Sequence, residues 1–240
     1  MDTKERDQYL LKEGVKFLPW IGKDYEYGLS YDEDGKLFYG TKENPKTKIL
    51  VLGESHYVGE EEAEEFKSGK DQELWANFTR EVIKNYLDVD TEWDRWKNTF
   101  LKFERSIAGF QTKRSDSPNI WNHLAFYNYL QVPKSDSRMA PTNDELSLSV
   151  KPFFKLLDEI KPDVVIVWGK RLYWLLLGDY EELDVTGEEG EPIIEDDYKN
   201  PTWIYKENDG HIIRLLPVIH PSWGYSWDYW FKIIRKEIEK

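Results

Sequence analysis

Two histidines and one asparagine sit where apolar runs give way to polar turns. Gly53-Glu54-Ser55-His56-Tyr57 follows the run Lys48-Ile49-Leu50-Val51-Leu52, and His220-Pro221-Ser222-Trp223-Gly224 follows Ile212-Ile213-Arg214-Leu215-Leu216-Pro217-Val218-Ile219. Asn128 interrupts the apolar and aromatic stretch Ala125-Phe126-Tyr127-Asn128-Tyr129-Leu130. An imidazole can donate a hydrogen bond or move a proton, a carboxylate such as Glu54 or Glu60 can activate water, and a carboxamide offers both a donor and an acceptor. Taken singly, His56 and His220 read as loop histidines satisfied by water, and Asn128 as bonded to nearby backbone. Taken together, polar clusters at the expected edge of one sheet read as a ligand site.

Strands must place those clusters. The runs at 48–52, 163–168 and 212–219 are short, apolar and bounded by Gly or His, as buried strands are. Residues 72–87, 94–108, 143–160 and 226–239 have helical spacing, and 170–177 reads as a helix behind Gly169. Asn143 or Asp144 can cap the helix at 143–160, and Pro162 follows its end. Apolar strands alternating with amphipathic helices predict an α/β fold: a single domain over residues 1–240, with a central, mostly parallel, four- to five-stranded sheet flanked by helices. Ligands of such sheets bind outside the carboxyl ends of the strands, where the clusters fall.

Composition narrows the chemistry. The chain has 240 residues, 33 Lys+Arg against 46 Asp+Glu and a formal net charge of −13. Its 11 Trp and 15% aromatic content demand a packed core in spite of that charge. With no Cys there is no disulfide framework, thiolate zinc site, iron–sulfur cluster or cysteine nucleophile, and no ligand spacing marks a metal or cofactor site. The opening residues lack an apolar leader and no run approaches the ~18 apolar residues of a membrane span, so a soluble, cytoplasmic protein without a membrane partner is expected. Residues 179–199 carry ten carboxylates and one Lys; with Gly187, Gly190 and Pro192 they read as a long, solvated, acidic loop insertion. Residues 95–114 carry six cations against Glu104, which suits either a docked polyanion or a helix with a basic outer face.

Gly53-Glu54-Ser55-His56-Tyr57 with Glu60, then Asn128, then His220-Pro221-Ser222, resembles the uracil-DNA glycosylase superfamily in motif order, content and spacing. The segment Lys161-Pro162-Asp163-Val164-Val165-Ile166-Val167-Trp168-Gly169 is similar to that superfamily's strand before a helix without catalytic residues, and the resemblance covers most of residues 49–224. It implies a uracil-DNA-glycosylase-like fold, a monomer acting on DNA without a cofactor, and hydrolysis of the N-glycosidic bond of a flipped uracil or other modified base, in repair or in defence against phage DNA. The resemblance assigns His220 the hydrogen bond to the departing base's O2 carbonyl and Asn128 the reading of its Watson–Crick edge. Gly53, Ser55, His56 and Tyr57 would line the base pocket, with Phe78, in Asn77-Phe78-Thr79 at the start of a helix, stacking on the base and Phe66 its rival. Ser222, and Ser55 likewise, would hold phosphate. Trp223 and Tyr225 stand in the loop that fills the gap in the base stack, while Trp227 and Trp230 pack inward.

The departures from the family pattern are specific. Ser55 stands where the most active members keep an Asp, His56 replaces a Pro, and Glu54 or Glu60 must then activate water. The branch of the superfamily with the corresponding Glu carries a four-Cys iron–sulfur cluster, which this chain cannot build. Two alternatives stand beside this one. A GDSL-type serine esterase would use Ser55 and His220, although Pro217 occupies the place of that family's orienting Asp. A catalytically inactive nucleic-acid-binding module would keep the pocket and lack the acid.

Overall fold

The computed structural model describes residues 2–136, 139–222 and 224–240. The elements are α1 (Thr3–Lys12), β1 (Trp20–Ile21), β2 (Leu29–Tyr31), β3 (Leu37–Tyr39), β4 (Ile49–Gly53), α2 (Glu60–Lys67), α3 (Gln72–Leu87), α4 (Lys97–Ala108), α5 (Ser117–Asn122), β5 (Leu124–Asn128), α6 (Asn143–Ile160), β6 (Val164–Trp168), α7 (Lys170–Leu176), β7 (Val185–Glu195), β8 (Tyr198–Glu207), β9 (Ile212–Val218) and α8 (Trp227–Ile238). The chain is thus α/β, with a mixed sheet of seven strands in the order β1-β5-β4-β6-β9-β8-β7 and a small antiparallel pair, β2-β3.

Every residue of β4, β5 and β6 is buried, which is why β4 and β6 read as short apolar runs. β6 and β9 are parallel, with Val164 opposite Arg214 and Trp168 opposite Val218. β9, β8 and β7 then run antiparallel. The sheet is therefore wider than four or five strands, and its far side is not parallel. The extra strands come from the acidic segment, which corrects the expectation of a solvated loop over 179–199. β7 and β8 form a long hairpin whose two-residue turn, Asp196-Asp197, has φ of 46° and 64°. Positive φ at both central positions matches the twist of paired strands, and Asp tolerates it better than most residues. The register slips between Gly190 and Ile193, around Pro192, which has no N–H to give the ladder. Most of β7 is exposed, so its acidic residues face water while its backbone is paired. Glu195 anchors the hairpin to α8 through Lys232 (2.9 Å) and Lys236 (2.6 Å).

The chain forms two compact units, Met1–Trp20 with Leu52–Lys84 and Phe126–Lys161, and Ile21–Val51 with Asn85–Ala125 and Pro162–Lys240. β4 and β5 start in the second unit and end in the first. In the first unit the N-cap of α6 is Thr142, in place of the expected Asn143 or Asp144. Its hydroxyl accepts from Glu145 N–H, and the Glu145 carboxylate accepts in return from Thr142 N–H (2.7 Å). Arg80 ties α3 to α1 through both carboxylate oxygens of Asp7 (2.7 and 2.6 Å).

In the second unit the buried carboxylate of Glu104 on α4 accepts four hydrogen bonds: from Thr112 Oγ1 (2.5 Å), Tyr86 Oη (2.7 Å), Ser117 Oγ (3.0 Å) and Trp121 Nε1 (3.1 Å). Burial pushes its pKa up, and the four donors pull against that rise. Glu104→Ala would strand four buried donors, so unfolding in urea should show a loss of about 3–5 kcal/mol, with Glu104→Gln losing less.

Candidate functional site

The loops after β4 and β5 leave the sheet side by side. Tyr129 N–H donates to Gly53 O and Leu130 N–H to Glu54 O, both at 2.9 Å. The two loops then pair again: Lys134 N–H donates to His56 O (2.8 Å) and Val58 N–H to Lys134 O (3.0 Å). Lys134 is itself held by the Glu145 carboxylate at 2.8 and 2.7 Å. This zipper brings Asn128 over Gly53, where a Cβ would lie 2.2 Å from Asn128 Oδ1 and 3.4 Å from the Phe126 ring. A glycine ends β4 because the carboxamide needs the space.

His56 is buried, so the reading of it as a water-satisfied loop histidine is corrected. Its Nε2 lies 2.9 Å from Thr79 Oγ1, and Asn128 Nδ2 lies 3.2 Å from both ring nitrogens. Phe17 and Phe78 meet the imidazole edge to face, each with centroids 4.8 Å away, and Phe66 and Trp75 close the aromatic cluster behind them. Asn128 Nδ2 can only donate, and Thr79 Oγ1 can donate or accept, so these two partners fit either neutral tautomer of His56. Burial lowers the His56 pKa to about 3. Beside it, Ser55 Oγ is buried and has no hydrogen-bond partner among the described residues.

The first unit thus gathers Gly53, Ser55, His56, Phe78 and Asn128. Phe78 touches His56 directly, whereas Phe66 stacks on Phe17 at 5.3 Å. Phe78 lies well inside α3, not at a helix start. Glu54 is half-buried at the strand end, while Glu60 is exposed in the first turn of α2. Tyr57 is 44% exposed and bridges to Lys134. Sequence reasoning missed Phe17, Lys134 and Thr79. For Thr79 a signal existed: it sits four residues from both Trp75 and Ile83, a polar position in the buried stripe of α3.

In the second unit His220 is exposed. Its Nδ1 accepts from Ser222 N–H (3.3 Å) and lies 2.8 Å from Ser222 Oγ, and its ring meets Trp168 edge to face at 6.0 Å. A backbone N–H can only donate, so the neutral imidazole carries its proton on Nε2. Lys102 Nζ lies 3.4 Å from Ser222 O. Tyr225 is corrected as a stack-filling residue: it is buried, stacks on Trp230 and shares a 2.6 Å hydrogen bond with Ser106 Oγ. Trp230 packs inward as expected. Trp223 lies outside the described residues. The basic stretch is also less basic at the surface than its sequence, because Lys97 is buried and donates to Thr91 Oγ1 and Glu92 O, and Arg114 donates to the Val89 carbonyl. Among the described residues no group of three or more His, Asp or Glu is placed to hold a metal ion. No family model matches the chain, and no curated protein matches it.

Two outcomes follow from this geometry. Gly53→Ala should destabilise the protein measurably, and most of that loss should vanish in an Asn128→Ala background, a coupling read by a double-mutant cycle in urea. His56 is neutral in the folded protein at pH values where an unfolded histidine binds a proton, so its stabilising share is present above pH ~6.5 and falls as pH drops toward 3. Between pH 7 and pH 5 the wild type should lose about 2 kcal/mol more than His56→Gln, measured by chemical unfolding at each pH.

Proposed function

We propose that the protein is a DNA glycosylase that hydrolyses the N-glycosidic bond of a uracil or other modified base and leaves an abasic site. The observation that supports this reading is the exposed imidazole of His220 just past β9, whose Nδ1 accepts from Ser222 N–H so that the ring proton lies on Nε2. Cleavage of an N-glycosidic bond builds negative charge on the leaving base and positive charge on the sugar. A neutral imidazole N–H aimed at a base carbonyl stabilises the first without having to give up its proton. Asn128, positioned over Gly53, supplies the carboxamide that reads the base edge. Glu54 is the better placed of the two acids to activate water, being half-buried at the end of β4, while Glu60 faces solvent.

The esterase reading has less support. A serine nucleophile is activated by a base within hydrogen-bond reach, and Ser55 Oγ has no hydrogen-bond partner among the described residues. A non-catalytic module of the same kind would differ only in turnover.

The test is a panel of end-labelled single- and double-stranded oligonucleotides carrying uracil, hypoxanthine, xanthine, modified cytosines or ordinary bases, scored for alkali-sensitive sites. One modified base should be released, and His220→Ala should slow release by about 10²- to 10³-fold. Glu54→Gln should also abolish most turnover while leaving binding intact. Ester hydrolysis dependent on Ser55, with no abasic product, would replace the glycosylase by the esterase.

A further inference from the structure

We infer that the loop joining α3 to α4 is a docking site for an arginine-bearing segment of another protein, held by two partly exposed indoles and by carboxylates of the same loop. It goes beyond the glycosylase reading and does not depend on it.

The loop, residues 88–96, is held more firmly than a surface connection requires. Thr91 Oγ1 lies 3.0 Å from Asn85 O and 2.9 Å from Asp88 O, and it accepts from the Lys97 ammonium (2.6 Å), which also donates to Glu92 O (2.8 Å). Lys97 is wholly buried, and taking an ammonium out of water is costly. Arg114 fastens the other side by donating to Val89 O (2.8 Å) and to Asp88 O. Trp93 Nε1 donates to Asn98 Oδ1 (3.2 Å), which fixes the direction of that indole. While the backbone is pinned, its large side chains stay open: Val89 is 56% exposed, Trp93 39% and Trp96 37%. Both indoles rest on buried rings, Trp93 on Tyr86 (6.2 Å between centroids) and Trp96 on Phe100 (5.7 Å), and those two rings are themselves 5.3 Å apart. An ordered loop that leaves tryptophans open has already lost the freedom that binding would otherwise remove, and Trp is enriched among the residues that carry binding energy.

The loop's chemistry selects the partner. Each indole already takes a cation from its own chain, with Arg114 Cζ 5.4 Å from the Trp93 centroid and Lys97 Nζ 5.6 Å from that of Trp96. On the same loop Asp88, Asp90, Glu92 and Asp94 are exposed, against one exposed cation, Arg95. A guanidinium suits both surfaces, since it stacks flat on an indole and forks onto a carboxylate. A nucleic acid would meet four like charges here, and a second copy of this chain would bring the same carboxylates to face them. A segment presenting arginines complements the loop in charge and in shape.

The test is a titration of the isotope-labelled full chain, followed through its indole N–H signals by NMR. Signals of Trp93, Trp96 and Trp203 are assigned by their loss in Trp93→Phe, Trp96→Phe and Trp203→Phe. An acetylated tri-arginine amide should move the Trp93 and Trp96 signals to saturation at concentrations that leave Trp203, paired with Glu189 of the acidic strand β7, in place. Asp90→Asn with Asp94→Asn, both on the surface, should weaken that binding about tenfold, and added salt should weaken it as well. Tri-lysine should bind less tightly than tri-arginine. No movement at Trp93 and Trp96, an equal response at Trp203, tri-lysine bound as tightly as tri-arginine, or the same movement produced by oligothymidylate would each overturn the proposal.

Discussion

The hydrogen bond from Tyr129 N–H to Gly53 O sets the geometry of the first unit. It makes β4 and β5 end at one level, and from there the two following loops pair through Leu130, Lys134 and Val58. With the strands ending together, Asn128 lies over the α-carbon of Gly53 and within reach of the His56 ring, whose other polar partner is Thr79. The Lys134–Glu145 ion pair fastens the same loops to the capping box of α6, so a helix start and a polar cluster share one carboxylate. Buried polar groups are rigid when all their partners are supplied, and here the partners come from three separate stretches of chain.

The two strand-end histidines have opposite environments. His56 is sealed among aromatic rings, neutral and spent on internal contacts, whereas His220 is exposed and has one nitrogen fixed by Ser222. Burial raises the cost of charging the first, while Ser222 and the edge of Trp168 orient the second. Equal residue types in equal sequence positions, each just past a strand, therefore do different work. One is packed inside an aromatic cluster and the other presents its ring at the surface.

The charge distribution acquires a structural meaning. Much of the acidity is carried by a hairpin whose backbone is paired and whose far strand, β7, is the edge of the seven-stranded sheet. Carboxylates on an edge strand discourage edge-to-edge association, and the bulge at Gly190 to Ile193 adds to that protection. At the opposite sign, part of the cationic stretch at 95–114 is consumed internally by Lys97 and Arg114. The net charge of −13 therefore acts as a long-range repulsion on polyanions that the remaining surface cations offset only locally.

Much of this was legible in the sequence because it is local. β4, β6 and β9 are continuous apolar runs, α3 and α6 have full helical periodicity, and Gly53, Asn128 and His220 stand out as polar or conformationally special residues at the ends of such runs. The strands of the hairpin were not legible, since β7 alternates neither cleanly nor apolarly and its stability comes from pairing with β8. The burial of Tyr225 and His56 was not legible either, because each depends on elements distant in sequence: Ser106 on α4, and Phe17 with Phe78. Sequence by itself determined which residues could do chemistry and at which edge. Tertiary structure decided which of them are spent on one another, because a hydrogen bond between residues 56 and 128 is a property of strand register and loop pairing, neither of which any short window of sequence contains.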